Sequence, residues 1–73
     1  NGAISDCDEA LRLDASRPQA YYNRAAARNR KGDLAGAITD CESALKHASA
    51  NWPDLKSAEQ FLKAARRAQS SKR

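Results

Sequence analysis

The sequence predicts an all-α fold: an antiparallel helix-turn-helix solenoid of about one and a half repeats plus a C-terminal capping helix. Three observations carry this. Gly2-Ala3-Ile4-Ser5-Asp6-Cys7-Asp8-Glu9-Ala10-Leu11 returns thirty-four residues later as Gly36-Ala37-Ile38-Thr39-Asp40-Cys41-Glu42-Ser43-Ala44-Leu45, with seven of ten residues identical. A period of that length built from helical units marks stacked repeats rather than one globular core. Residues 17–49 read as helix, tight turn, helix: in Lys31-Gly32-Asp33, Gly32 suits the left-handed closure of one helix and Asp33 the cap of the next. So short a connection makes the two helices antiparallel. Finally, apolar residues recur at the i, i+3, i+4, i+7 spacing of one helical face in each segment.

The whole chain, 1–73, reads as a single domain. Residues 1–15 hold the second helix of an incomplete repeat, about Gly2 to Leu13, with Ala3, Ile4, Cys7, Ala10 and Leu11 on the inner face and Asp6, Asp8, Glu9 and Arg12 outside. The first helix of that repeat is missing, so an apolar strip is expected to lie uncovered. Opening at Asn1-Gly2, just ahead of a second-helix motif, the chain reads as a piece of a longer one.

Residues 16–50 make the complete repeat. Ser16 is the expected N-cap, Pro18 sits in the first turn where its missing N–H is harmless, and Gln19 is placed to close a capping box. Ala25, Ala26 and Ala27 then let helix backbones approach closely. In the next helix Leu34, Ala37, Ile38, Cys41, Ala44 and Leu45 should face inward.

Residues 51–73 hold the capping helix and a basic tail. Asn51-Trp52-Pro53-Asp54 repeats the Ser16-to-Gln19 opening one residue late, so the helix is expected from about Trp52 to Gln69, with Leu55, Ala58, Phe61, Leu62 and Ala65 as its apolar stripe. Trp52 is expected to anchor the preceding loop.

Period and motif together resemble the tetratricopeptide repeat (TPR) family. The residues that carry the resemblance are Tyr21, Ala25, Gly32-Asp33, Ala37-Ile38 and Ala44-Leu45. Arg24 and Arg28 depart from it, standing where the family usually buries a Leu and a Tyr, and Ser49 replaces the usual closing proline. The resemblance implies that first helices line a concave groove that selects a peptide. The groove residues would be Gln19, Tyr22, Asn23, Ala26, Asn29 and Arg30, with Tyr22 offering an apolar ring and the two asparagines amides for a peptide backbone or carboxylate.

Tyr22-Asn23-Arg24-Ala25-Ala26 looks like the equivalent run in the carboxylate-clamp class of TPR co-chaperones, which grip the C-terminal carboxylate of heat-shock chaperones with Lys and Asn residues from three repeats. Asn23 matches a clamp asparagine, and Lys56 and Lys63 of the capping helix are the available lysines. The alternative role for Asn23 is structural, tying neighbouring helices together.

Catalysis needs a nucleophile with a base, paired carboxylates, metal ligands or a phosphate-binding glycine loop. The three glycines are scattered, the acids are expected on outer faces, and His47 is alone near a helix C-terminus, where the dipole favours a surface cation. The reading is therefore a non-enzyme without cofactor or metal. Cys7 and Cys41 occupy equivalent inward positions and read as reduced core thiols, which favours a reducing, cytoplasmic setting. No apolar run approaches the roughly 20 residues that span a bilayer, so no membrane segment is expected.

The net charge is +4, distributed as −3 over 1–14, +4 over 15–33, −1 over 34–50 and +4 over 51–73. A basic groove would steer an acidic peptide. The function read from the sequence is thus recognition of an extended, acidic peptide or C-terminal tail by an adaptor of co-chaperone type. One alternative is a structural role, in which the uncovered N-terminal helix forms a homodimer. Nucleic-acid binding is disfavoured, because aromatics are not interleaved with the basic residues and Arg66, Arg67, Lys72 and Arg73 read as a solvated end. Arg24 and Arg28 are expected to pair with Asp6, Asp8 or Asp40, their stems covering the seam.

Overall fold

A computed structural model describes residues 2–71, with the side chain of residue 3 excepted. The expected inward placement of the Ala3 side chain, and the tail residues Lys72 and Arg73, lie outside the described residues. The described chain is all-helical: α1 Gly2–Leu13, α2 Pro18–Arg30, α3 Leu34–His47 and α4 Leu55–Ser71. Each helix packs chiefly on its neighbours in the chain, giving a slab of 37 × 30 × 14 Å.

The α2–α3 turn forms for the reasons its residues suggest. Gly32 takes φ +88°, a left-handed value that costs a side-chain-bearing residue energy and glycine none. Asp33 caps α3, its carboxylate accepting the Gly36 N–H at 2.9 Å. Gly36 is there to make room for that cap: a Cβ at this position would run into the Asp33 carboxylate and come within 3.0 Å of the Arg28 Cδ. Gly36→Ala should therefore cost about 1 kcal/mol by displacing the cap. Once Asp33→Ala has removed the cap, the same change should be neutral or stabilising, since alanine exceeds glycine by about 1 kcal/mol in a helix interior. Thermal melts of the two single variants and the double decide this, and simple additivity would refute it.

The core is built on small residues at helix crossings. Ala25, Ala37, Cys41, Ala44 and Ala58 are fully excluded from solvent. Ile38, Leu62 and Ala65 complete the main cluster, with Tyr22, Leu34, Leu45, Trp52 and Phe61 packed against it. Backbones approach so closely that the Cys41 thiol donates to the Ala58 carbonyl at 3.0 Å. Cys7 and Cys41 are both free and buried, and burial pushes both thiols above their ordinary pKa. They stay protonated and pack as small apolar groups.

Two helix starts differ from expectation. Arg17, not Ser16, holds the N-cap position of α2, with no side-chain cap bond. The Ser16 hydroxyl and amide instead donate to Asp14, at 2.7 and 3.1 Å, and these bonds hold the Asp14 carboxyl below its usual pKa. The nearer acid captures the serine in a local turn. Gln19 accordingly closes no capping box. Similarly, α4 begins at Leu55 rather than near Trp52, because 49–55 run through successive turns in which Trp52 N–H donates to the Ser49 carbonyl and Leu55 N–H to the Trp52 carbonyl. The helix continues to Ser71.

Candidate functional site

A cleft of about 430 Å³ runs between α1, the start of α2 and the loop before α4. Cys7, Ala10, Pro18 and Ala20 give its apolar lining, and Asp6, Arg17, Gln19, Asn23 and Trp52 its polar one. A directed chain of hydrogen bonds orders part of the polar lining. The Trp52 indole N–H donates to Gln19 Oε1 at 3.2 Å, and Gln19 Nε2 donates to Asn23 Oδ1 at 3.1 Å. Indole nitrogen only donates, so it fixes the Gln19 amide, which in turn fixes that of Asn23. Among the described residues the Asn23 NH2 is left as the free donor at the end of the chain. The Asn23 carbonyl thus accepts from within its own helix, and Gln19 carries the chain on to the loop before α4.

The other expected groove residues are dispersed. Tyr22 is half-buried, its ring packed against the core cluster. It lies edge-on to Trp52, with centroids 5.7 Å apart, and to Phe61 at 6.0 Å, and burial raises its phenol pKa. Asn29 lines a separate cleft of about 220 Å³ with Leu34, Phe61, Ala64, Ala65 and Ala68. Ala26 is half-buried and Arg30 and Lys56 are exposed, and none of the three lines either cleft.

The expectation that the acids lie on outer faces fails at Asp40, which is only 2% exposed. Arg24 holds it with Nε at 3.0 Å and Nη2 at 2.7 Å. Arg28 approaches at 3.4 Å, and Arg24 also reaches Asp8 on α1 at 2.6 Å. The bidentate bond to Asp40 raises the Arg24 pKa above its ordinary value and clips α1, α2 and α3 together. The expected pairing of both arginines across the seam is therefore observed. His47 is exposed and stacks on Tyr21, with centroids 5.6 Å apart and planes within 9°, while the Tyr21 hydroxyl donates to the Ala15 carbonyl.

Sequence reasoning missed the Trp52–Gln19 bond because the partners are thirty-three residues apart. The faint signal was a lone tryptophan in a loop one residue longer than the repeat requires. Among the described residues, no three His, Cys, Asp or Glu side chains are grouped to hold a metal ion. No described helix is long and apolar enough to cross a membrane.

No known protein-family profile matches the chain, and no solved structure matches it. Among curated proteins it is similar to the protein FlbA of Caulobacter vibrioides, with 44% identity over 45 residues, which is 62% of this chain. The chain spans 8% of that relative's length.

Proposed function

We propose that this chain is a TPR-type helical repeat segment that recognises an extended, acidic peptide or C-terminal tail without catalysis, as co-chaperone adaptors do. The observation that carries the reading is the Trp52–Gln19–Asn23 chain, which presents the Asn23 NH2 in the lining of the cleft beside Arg17. An oriented amide next to a guanidinium suits a carboxylate or a peptide carbonyl, and fixing it beforehand lowers the ordering cost of binding; the ligand must also displace Arg17 from Asp14, 3.8 Å away, and pass the Asp6 carboxylate in the same cleft. The repeat in sequence and the packing of each helix on its chain neighbour support the repeat assignment. Two free, buried thiols suit a reducing, cytoplasmic setting.

The test is a titration of acidic peptides bearing free or amidated C-termini, followed by the fluorescence of Trp52, the sole tryptophan. Free carboxylates should bind about tenfold more tightly, the worth of one charge-assisted hydrogen bond. Asn23→Ala should remove that difference. Equal binding of the two peptide forms would eliminate carboxylate recognition, and no binding of either would eliminate the peptide reading.

A further inference from the structure

The cleft of about 220 Å³ that Asn29 lines is formed by α2, α3 and α4, and α1 contributes nothing to it. It shares no lining residue with the cleft of Asn23 and Trp52. Leu34 and Phe61 supply its large side chains, while Ala64, Ala65 and Ala68 put only methyl groups where bulkier residues would fill the space. Phe61 lies edge-on to Tyr22 at 6.0 Å, and both it and Leu34 pack against the core cluster. The cleft is therefore shaped before anything enters it. Its one polar member, the exposed Asn29, has an amide with no hydrogen-bond partner among the described residues.

Cations from two separate elements surround this apolar space. Arg30 and Lys31 lie between Asn29 and Leu34 in the chain, and Arg67 neighbours both Ala64, three positions before it, and Ala68. All three are exposed, and none has an ion-pair partner among the described residues. Acids close to them in the chain or fold do not offset this charge. The Asp33 carboxylate caps α3 through the Gly36 N–H, Glu42 pairs with Arg66, and Glu59, two positions before Phe61, falls on nearly the opposite side of α4.

We propose that this cleft is a docking socket for one bulky apolar side chain, leucine or phenylalanine, carried by a partner segment whose neighbouring residues are acidic. A large side chain seated in a preformed pocket supplies affinity, and complementary charge around it supplies steering and selection. The missing bulk at 64, 65 and 68 sets the first requirement, and the unpaired Arg30, Lys31 and Arg67 set the second. The proposal does not rest on carboxylate recognition at Asn23, and a peptide without a free carboxyl terminus tests it alone.

The probe is a short N-acetylated, C-amidated peptide of aspartates and glutamates around one phenylalanine, titrated into isotope-labelled protein and followed by two-dimensional NMR. Shift changes should centre on the Asn29 side-chain amide and on residues 64–68. Exchanging the peptide's phenylalanine for alanine should weaken binding about tenfold, the worth of burying one large apolar side chain. Lysines in place of the flanking acids should weaken it about tenfold as well. On the protein, Ala64→Glu is exposed and compatible with a helix, and should lower affinity about tenfold by placing a like charge at the socket. Lys31→Glu/Arg67→Glu should do at least as much, and circular dichroism verifies that both variants fold. Asn23→Ala should bind as the parent does, which separates this socket from the carboxylate site. Equal affinity for the phenylalanine and alanine peptides, equal affinity for acidic and basic flanks, shift changes centred on Gln19 and Asn23, or no binding at millimolar peptide would each overturn the proposal.

Discussion

Asp40→Ala is expected to destabilise the fold by about 3–5 kcal/mol, the usual cost of breaking a buried ion pair from one side. The change leaves the Arg24 guanidinium, which is only 18% exposed, with Asp8 alone as its acidic contact, and takes from Arg28 its one acidic contact among the described residues. Small domains are stable by about 5–15 kcal/mol, and one with an alanine-built core falls at the low end, so the variant should be largely unfolded at ambient temperature. The pair itself is not what confers net stability. Replacing both partners, as in Arg24→Met/Asp40→Leu, should restore most of the loss, because the charges left without a partner, Arg28 and Asp8, both reach solvent. Urea melts followed by far-ultraviolet circular dichroism give both numbers. A loss below about 1 kcal/mol for Asp40→Ala would mean that water already screens the pair.

Tyr22→Ala should cost about 3–5 kcal/mol, in the range for deleting a large packed aromatic. The ring is the shared neighbour of Trp52 and Phe61, so its loss opens a cavity and frees the 49–54 loop from α2. The Trp52 emission should shift to the red as the indole gains water, and the Gln19–Asn23 order should go with it. Tyr22→Phe separates ring from hydroxyl. Since the described structure gives the hydroxyl no hydrogen-bond partner, this variant should stay within about 0.5 kcal/mol of the parent. A Tyr22→Ala protein with unchanged stability would show that the ring faces solvent.

Tyr22 also illustrates what made the site harder to read than the fold. Helical periodicity places it on one side of α2, but whether that side is groove or seam depends on where α4 and its loop come to rest. The loop ahead of α4 brings Trp52 edge-on to the ring. Asp40 makes a similar point. Its repeat counterpart Asp6 is exposed, so the same letter in the same motif is buried or solvated according to whether a helix with arginines lies over it.

The spans of α1 and α3, the Gly32 and Asp33 turn and the alanine seam were all determined by the residues themselves, because each depends on partners within about four positions along one helix. The tertiary structure alone decided which of Asp6, Asp8 and Asp40 is buried under Arg24, and the ordering of Asn23 by Trp52 through Gln19. Those contacts form only after helices settle against one another, and no local preference encodes the geometry of a crossing. The physical reason is that hydrogen bonds and backbone preferences fix a helix over short range, whereas charge pairing and ring packing between helices are set by the sum of the whole core.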